Sequence, residues 1–296
     1  MLDKNVPHKP ETHETPAFLI DSHAHLELEP LANDPAAVVK RATAAGVVAV
    51  ITVGIDIPDV QAALAIADRF GNVFASVGFH PHNAKDVRDG SLAKMEDLAS
   101  NPKVVAYGEI GLDFFRNLSP KDRQVAVFAD QLTLAKRLSR PVVIHLRNAY
   151  GEGLEMLEKA APFPAGGVIH CFSGDKQDAK RALALDFHIS IPGTVTYKNN
   201  ERLRAIVREL PEERLLLETD APFLAPEPLR GRNNEPAFIV HTAKKVAEVR
   251  GVAFEDVARV ASSNAIRLFR LPLTANGGLE SPPHKAPMPF DCSDCR

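Results

Sequence analysis

The sequence predicts an α/β protein of the (β/α)8 barrel class, built as a single domain over residues 18–270. Short β-branched runs recur along the chain, and helix-like segments rich in Ala, Leu, Lys and Arg lie between them. The alternation fills roughly 250 residues, the usual size of such a barrel, and it implies a parallel sheet.

The first run is Phe18–Ile20, followed by a helical segment at Asp34–Ala45. Val47–Val53 pairs with Val60–Phe70. Val73–Val77 is the third strand and Val104–Ala106 the fourth, with a helix over Pro120–Leu138. Val142–Ile144 leads to Gly153–Ala160, Val168–Ile169 to Lys176–Leu185, and His188–Ile191 to Glu201–Leu210. Leu215–Leu217 is the eighth strand, and helices near Pro236–Arg250 and Phe254–Phe269 end the body. An open doubly wound sheet is the alternative. No Gly-rich phosphate fingerprint follows the first run, where Asp21-Ser22-His23-Ala24-His25 stands instead, and this weakens a nucleotide-binding reading.

The flanks differ from the body. Residues 1–17 carry three Pro and two His and read as a flexible arm. Residues 271–296 carry five Pro with little apolar periodicity and read as a flexible tail.

Composition excludes several classes. The chain is 45% hydrophobic and 25% charged, which rules out a disordered or fibrous protein. A net charge of -3 rules out a generally cationic nucleic-acid binder, though not a local basic groove. Trp is absent and Tyr numbers 3, so an aromatic stacking platform has little support. The longest apolar stretch, Gly46 to Ile55, is about half of the ~20 residues a spanning helix needs. No membrane partner is expected. No apolar region opens the chain, so no signal peptide is expected. Cys171, Cys292 and Cys295 make no disulfide framework, and a reducing cytoplasm is the expected compartment.

Barrel enzymes place their chemistry at the C-terminal ends of the strands. Reading outward from each run gives His23 and His25 after the first, His80 and His82 after the third, and Glu109 after the fourth. His145, His170 and Asp220 follow the fifth, sixth and eighth. Each has an ordinary reading alone: a solvated pair, a turn carboxylate, a satisfied core histidine, a cap. Together His23, His25, Glu109, His145, His170 and Asp220 require six groups to converge on one barrel face by chance. His23 and His25, two apart on a strand, project to one face. Four imidazoles and two carboxylates suit a dinuclear site in which one carboxylate bridges two cations.

Six motifs then carry a resemblance. Asp21-Ser22-His23-Ala24-His25, Gly78-Phe79-His80-Pro81-His82, Gly108-Glu109-Ile110-Gly111-Leu112-Asp113, Ile144-His145-Leu146-Arg147, His170-Cys171-Phe172-Ser173-Gly174 and Glu218-Thr219-Asp220-Ala221-Pro222 resemble those of the TatD family of metal-dependent deoxyribonucleases. So does Asn234-Glu235-Pro236. The likeness covers about residues 18–270 and implies a TIM-barrel hydrolase. It further implies that His23, His25 and Asp220 hold one divalent cation, His145 and His170 a second, and that Glu109 bridges both. Two departures stand out. Asn148 occupies a position where relatives often have Asp, and the tail with Cys292 and Cys295 lies outside the family pattern.

The expected function is phosphodiester hydrolysis by a metal-dependent DNase of exonuclease type, with two divalent ions (Mg, Mn or Zn) activating water. Asp220 and Glu109 are the expected catalytic residues, Asp220 as proton acceptor. His80, Arg147 and Asn234 are candidates for substrate binding; Asn234 also has a structural reading as a helix cap. The expected partner is DNA, single-stranded or 3′-ended. Two rivals share the site: an amide or ester hydrolase such as an aminoacyl-tRNA deacylase, and a non-catalytic metal-binding scaffold.

Overall fold

The computed structural model describes residues 17–274 and 277–278. Eight parallel strands run in the order of the chain, each hydrogen-bonded to the next: β1 (Leu19–Ala24), β2 (Val47–Gly54), β3 (Val73–Val77), β4 (Val104–Asp113), β5 (Val142–Arg147), β6 (Gly167–Ile169), β7 (His188–Ile191) and β8 (Leu215–Leu217). Helices alternate with them: α1 (Pro35–Ala44), α2 (Ile57–Arg69), α3 (Ser91–Ala99), α4 (Lys121–Arg137), α5 (Tyr150–Ala160), α6 (Lys176–Ala184), α7 (Glu201–Glu209) and α8 (Ile239–Arg250), then α9 (Phe254–Phe269). The predicted (β/α)8 barrel is therefore the observed one. Among the described residues no helix is long and apolar enough to cross a membrane.

Period-two alternation builds two apolar layers from each strand. Val73, Val142, Leu215 and Leu217 face the helical shell, while Phe74, Val143 and Leu216 face the barrel interior. α9 plugs the floor: Ala265, Leu268, Phe269, Leu271 and Leu273 join the interior cluster. Leu271 and Leu273 thus continue the packing past the boundary read at residue 270. The expected arm, apart from Ala17, and most of the expected tail, with Cys292 and Cys295, lie outside the described residues.

Three strands run further than their apolar runs suggest. β1, β4 and β5 extend through Asp21–Ala24, Tyr107–Asp113 and His145–Arg147, so polar residues occupy true strand positions near the mouth. The sequence reading had no helix at Ser91–Ala99. That segment is short and buries only Met95 and Ala99, too little for a visible apolar stripe.

The barrel closes between its first and last strands. On the floor side, Ser262 and Asn264 of α9 donate to the carbonyls of Phe18 and Leu215 at 2.9 and 2.8 Å. Midway, the Ser22 hydroxyl donates to the Leu217 carbonyl at 2.9 Å. At the mouth, Asp220 N–H donates to the His23 carbonyl at 2.9 Å and His25 N–H to the Ala221 carbonyl at 2.7 Å.

Candidate metal centre

Closure of the barrel brings the ends of β1 and β8 together, and with them His23, His25 and Asp220. Their ligand atoms form one tight group; His23, Glu109 and His170 form a second and His80, Glu109 and His145 a third. Glu109 sits at the middle, deeply buried. Its Oε2 lies 3.3 Å from His23 Nε2 and 3.9 Å from His25 Nε2. Its Oε1 faces the other way, 2.6 Å from His145 Nδ1, 2.8 Å from His170 Nε2 and 3.3 Å from His80 Nε2. Burial alone would raise the Glu109 carboxyl, but the surrounding rings of His170, His80 and His145 hold it well below the usual range.

Glycines make this placement possible. Gly108 and Gly111 have φ of 148° and 144°, conformations that L side chains rarely adopt. A Cβ on Gly108 would lie 2.3 Å from the Val143 carbonyl, and one on Gly111 would lie 2.0 Å from that of His145. Only bare backbone lets β4 approach β5 closely enough for Glu109 to touch His145. Asp220 itself has φ of 56°, a left-handed conformation that Asp tolerates.

His25, His145 and His80 are oriented by hydrogen bonds to their other ring nitrogen, which fixes the nitrogen each one offers. His25 Nδ1 donates to the Val53 carbonyl at 2.8 Å and lies 3.2 Å from Glu27, leaving Nε2 for the site. His145 Nε2 points at Asp113 Oδ2, 3.4 Å away, leaving Nδ1. His170 Nδ1 lies 3.6 Å from Glu218 Oε1, too far for a hydrogen bond, while Nε2 faces Glu109. His80 differs. Its Nδ1 accepts the backbone N–H of His82 at 3.0 Å, and burial pushes its pKa down to about 4, so Nε2 carries the ring's proton into the cavity. Nitrogens His23 Nε2 and His25 Nε2 approach to 3.3 Å, and His145 Nδ1 and His170 Nε2 to 3.2 Å. Facing lone pairs of this kind repel unless a cation lies between them, so the donor set fits divalent metal ions.

Asp113, Glu27 and Glu218 were not singled out from the sequence. Asp113 is fully buried; it accepts His82 Nε2–H at 2.8 Å and the backbone N–H groups of Phe115 and Arg116. His82 is thus tied into the network. The available signal was proximity in sequence: each such carboxylate lies within four residues of a group lining the site. Asn148 is exposed with φ of 53°.

The six groups proposed from sequence as ligands therefore converge. His80 and Arg147 line the same cavity, about 590 Å³ in volume, with Arg116, Phe223 and Leu224 at its edge. Asn234 is not there. It is wholly buried and donates to the carbonyls of Thr219 and Phe223 at 2.8 and 2.6 Å. It braces the loop that carries Asp220, because a buried amide finds its partners in backbone rather than in solvent-borne substrate.

Nitrogen and carboxylate donors gathered where a (β/α)8 barrel keeps its chemistry mark the class: a metal-dependent hydrolase of the barrel type. Comparison with known proteins narrows it. Residues 20–270 match the family described as TatD related DNase. The chain is 39% identical over 254 residues to the uncharacterized metal-dependent hydrolase YabD of Bacillus subtilis, covering 86% of this chain and 100% of that protein. It is 38% identical over 260 residues to the 3′-5′ ssDNA/RNA exonuclease TatD of Erwinia billingiae, with coverage of 86% and 100%. The crystal structure of YJJV, a TatD homolog from Escherichia coli, superposes with a TM-score of 0.82 at 33% identity, covering 86% and 98%. The chain belongs to the TatD family of metal-dependent hydrolases.

Proposed function

We propose that the protein is a nuclease that hydrolyses phosphodiester bonds at the 3′ end of single-stranded DNA from a centre of two divalent cations. The observation that carries this reading is the division of Glu109: one oxygen faces His23 and His25, the other faces His145 and His170. His23, His25 and Asp220 would hold one ion, His145 and His170 the other, with Glu109 shared. The names of relatives that act on single-stranded DNA or RNA support the substrate class.

When bound, two such ions acidify water and neutralise charge on the reacting phosphate. The chain's own groups do the rest. Asp220, next to His25 and partly open to the cavity, takes the proton of the attacking water at Oδ1 and later returns it to the leaving oxygen. Burial would raise its carboxyl, yet the His25, His170 and His23 rings hold it below the usual range, so it is ionised before substrate arrives. His80 Nε2–H donates to a phosphate oxygen. Arg147 supplies a planar cation at the rim of the cavity, suited to paired contacts with phosphate. Four imidazoles favour Zn over Mg on ligand softness.

The test is turnover of metal-stripped protein on fluorescent single-stranded DNA with Mg, Mn or Zn restored, beside Glu109→Ala. Nucleotide release that needs a cation and falls by roughly three orders of magnitude in the variant is the expected result. Cation binding without release on any nucleic acid would overturn the nuclease reading and point to an acyl substrate.

A further inference from the structure

Among the described residues five large apolar side chains are strongly exposed: Phe115, Leu118, Phe223, Leu224 and Val252. Four of them sit on the loops that follow β4 and β8, beside the cavity of the metal centre. Only Val252 lies elsewhere among these five, and an apolar rim gathered at the mouth of a catalytic cavity marks a ligand contact.

The two sides of this rim are built differently. Phe223 lies three residues beyond Asp220 and is locked to it: Phe223 N–H donates to the Asp220 carbonyl at 2.8 Å, and Asn234 holds the Phe223 carbonyl. Its ring is 51% exposed and stands edge-on to His25, 6.1 Å between centroids. On the other side the Arg147 guanidinium carbon lies over the Phe115 ring, 4.2 Å from its centroid, and Phe115 is 58% exposed. The Phe223 backbone is thus held against the metal-site loop, and the Phe115 ring carries a cation on one face.

We infer that Phe223 and the Arg147–Phe115 pair form a stacking rim that holds the unpaired terminal bases of a single-stranded nucleic acid while its phosphate reaches the metal centre. This rests on the phosphodiesterase reading above. Three features favour a base over other occupants. Every nucleobase offers a π face, and aromatic and guanidinium planes bind such faces without regard to sequence. The rim borders the catalytic cavity, so a protein docked across it would shut the site. A cation placed directly beside the aromatic surfaces matches a ligand that alternates flat apolar groups with negative charge. In a duplex the base faces are already stacked and cannot be reached, so the same rim selects single strands. The scarcity of Trp and Tyr hid this feature in the sequence; two Phe in the right loops suffice.

The experiment measures KM and kcat for a single-stranded oligonucleotide in the cation-loaded wild type, Phe223→Ala, Phe115→Ala and Phe223→Tyr. A matched oligonucleotide with abasic terminal residues is run beside it. Loss of one stacking surface is expected to raise KM by about tenfold, with kcat within about twofold, and Phe223→Tyr is expected to restore the wild-type value. Abasic ends should raise KM in the wild type by a similar factor and add nothing in Phe223→Ala. Unchanged KM in both Ala variants, or an equal abasic penalty in wild type and Phe223→Ala, would overturn the rim while leaving the nuclease reading intact. A wild type that cleaves no nucleic acid with any cation would instead overturn both.

Discussion

The two ends of this barrel are made from the same eight strands and are opposites in chemistry. The floor is apolar and sealed: Phe269, Leu268, Leu271 and Leu273 press against Ile20, Phe74 and Val143. The mouth is lined with buried imidazoles and carboxylates, and Asp220, Cys171 and Asn148 there adopt positive φ. Charged and polar groups packed around one carboxylate contribute little to stability without their ions, because desolvation offsets attraction. The difference teaches that stability and chemistry are separated along the barrel axis, so substitutions at the two ends should act on different quantities.

The largest expected effect tests the floor. Phe269→Ala removes a fully buried ring from the plug and should cost about 3–5 kcal/mol of stability, with kcat per folded molecule unchanged. Denaturant unfolding alongside active-site titration measures both, and a fall in kcat of the folded fraction would break the separation. The next effect tests the mouth. Asp113→Asn keeps the shape but weakens the acceptor behind His145 and His82, and should lower cation affinity by roughly 10–100-fold. Metal titration of the two proteins checks this; equal affinities would show that ring orientation does not depend on Asp113.

The smallest effect concerns an exception on the floor. His188 is buried at the start of β7, and burial with the nearby Arg214 charge lowers its pKa to about 4. The unfolded chain takes up a proton near pH 6.5 that the folded chain refuses until about pH 4. Stability from this group is therefore complete above pH 6.5 and lost as pH falls through that window. His188→Leu should flatten the pH dependence of Tm between pH 7 and 4. An unaltered slope would place the acid sensitivity elsewhere, with the mouth histidines as the first suspects.

The sequence showed the barrel because its strands are buried on both faces and read as continuous apolar runs. It pointed to Glu109, His145 and Asp220 because candidate ligands recur at the same place in successive βα units. Strand ends were read short, since Asp21 and Ser22 look like loop residues until the polar mouth is known. Glu27, Asp113 and Glu218 stayed hidden because a carboxylate behind a ring differs from a surface carboxylate only in what it touches. Asn234 was drawn toward substrate by its closeness in sequence to Asp220, whereas its amide faces inward to backbone carbonyls. Phe115 and Phe223 were lost in a count of aromatics that said nothing about where they stand.

The seam between β1 and β8 has a consequence for how the molecule holds its shape. At the mouth it rests on a single isolated bridge, Ala24 to Ala221, and a few hydrogen bonds. His23, His25 and Asp220 straddle that seam and come from opposite ends of the folded chain, about two hundred residues apart. An ion gripped by all three would act as a crosslink, closing a ring of that length much as a disulfide would, and large rings gain most from such a tie. The ion that serves the reaction would thereby also be the rivet that keeps the first and last staves of the barrel together.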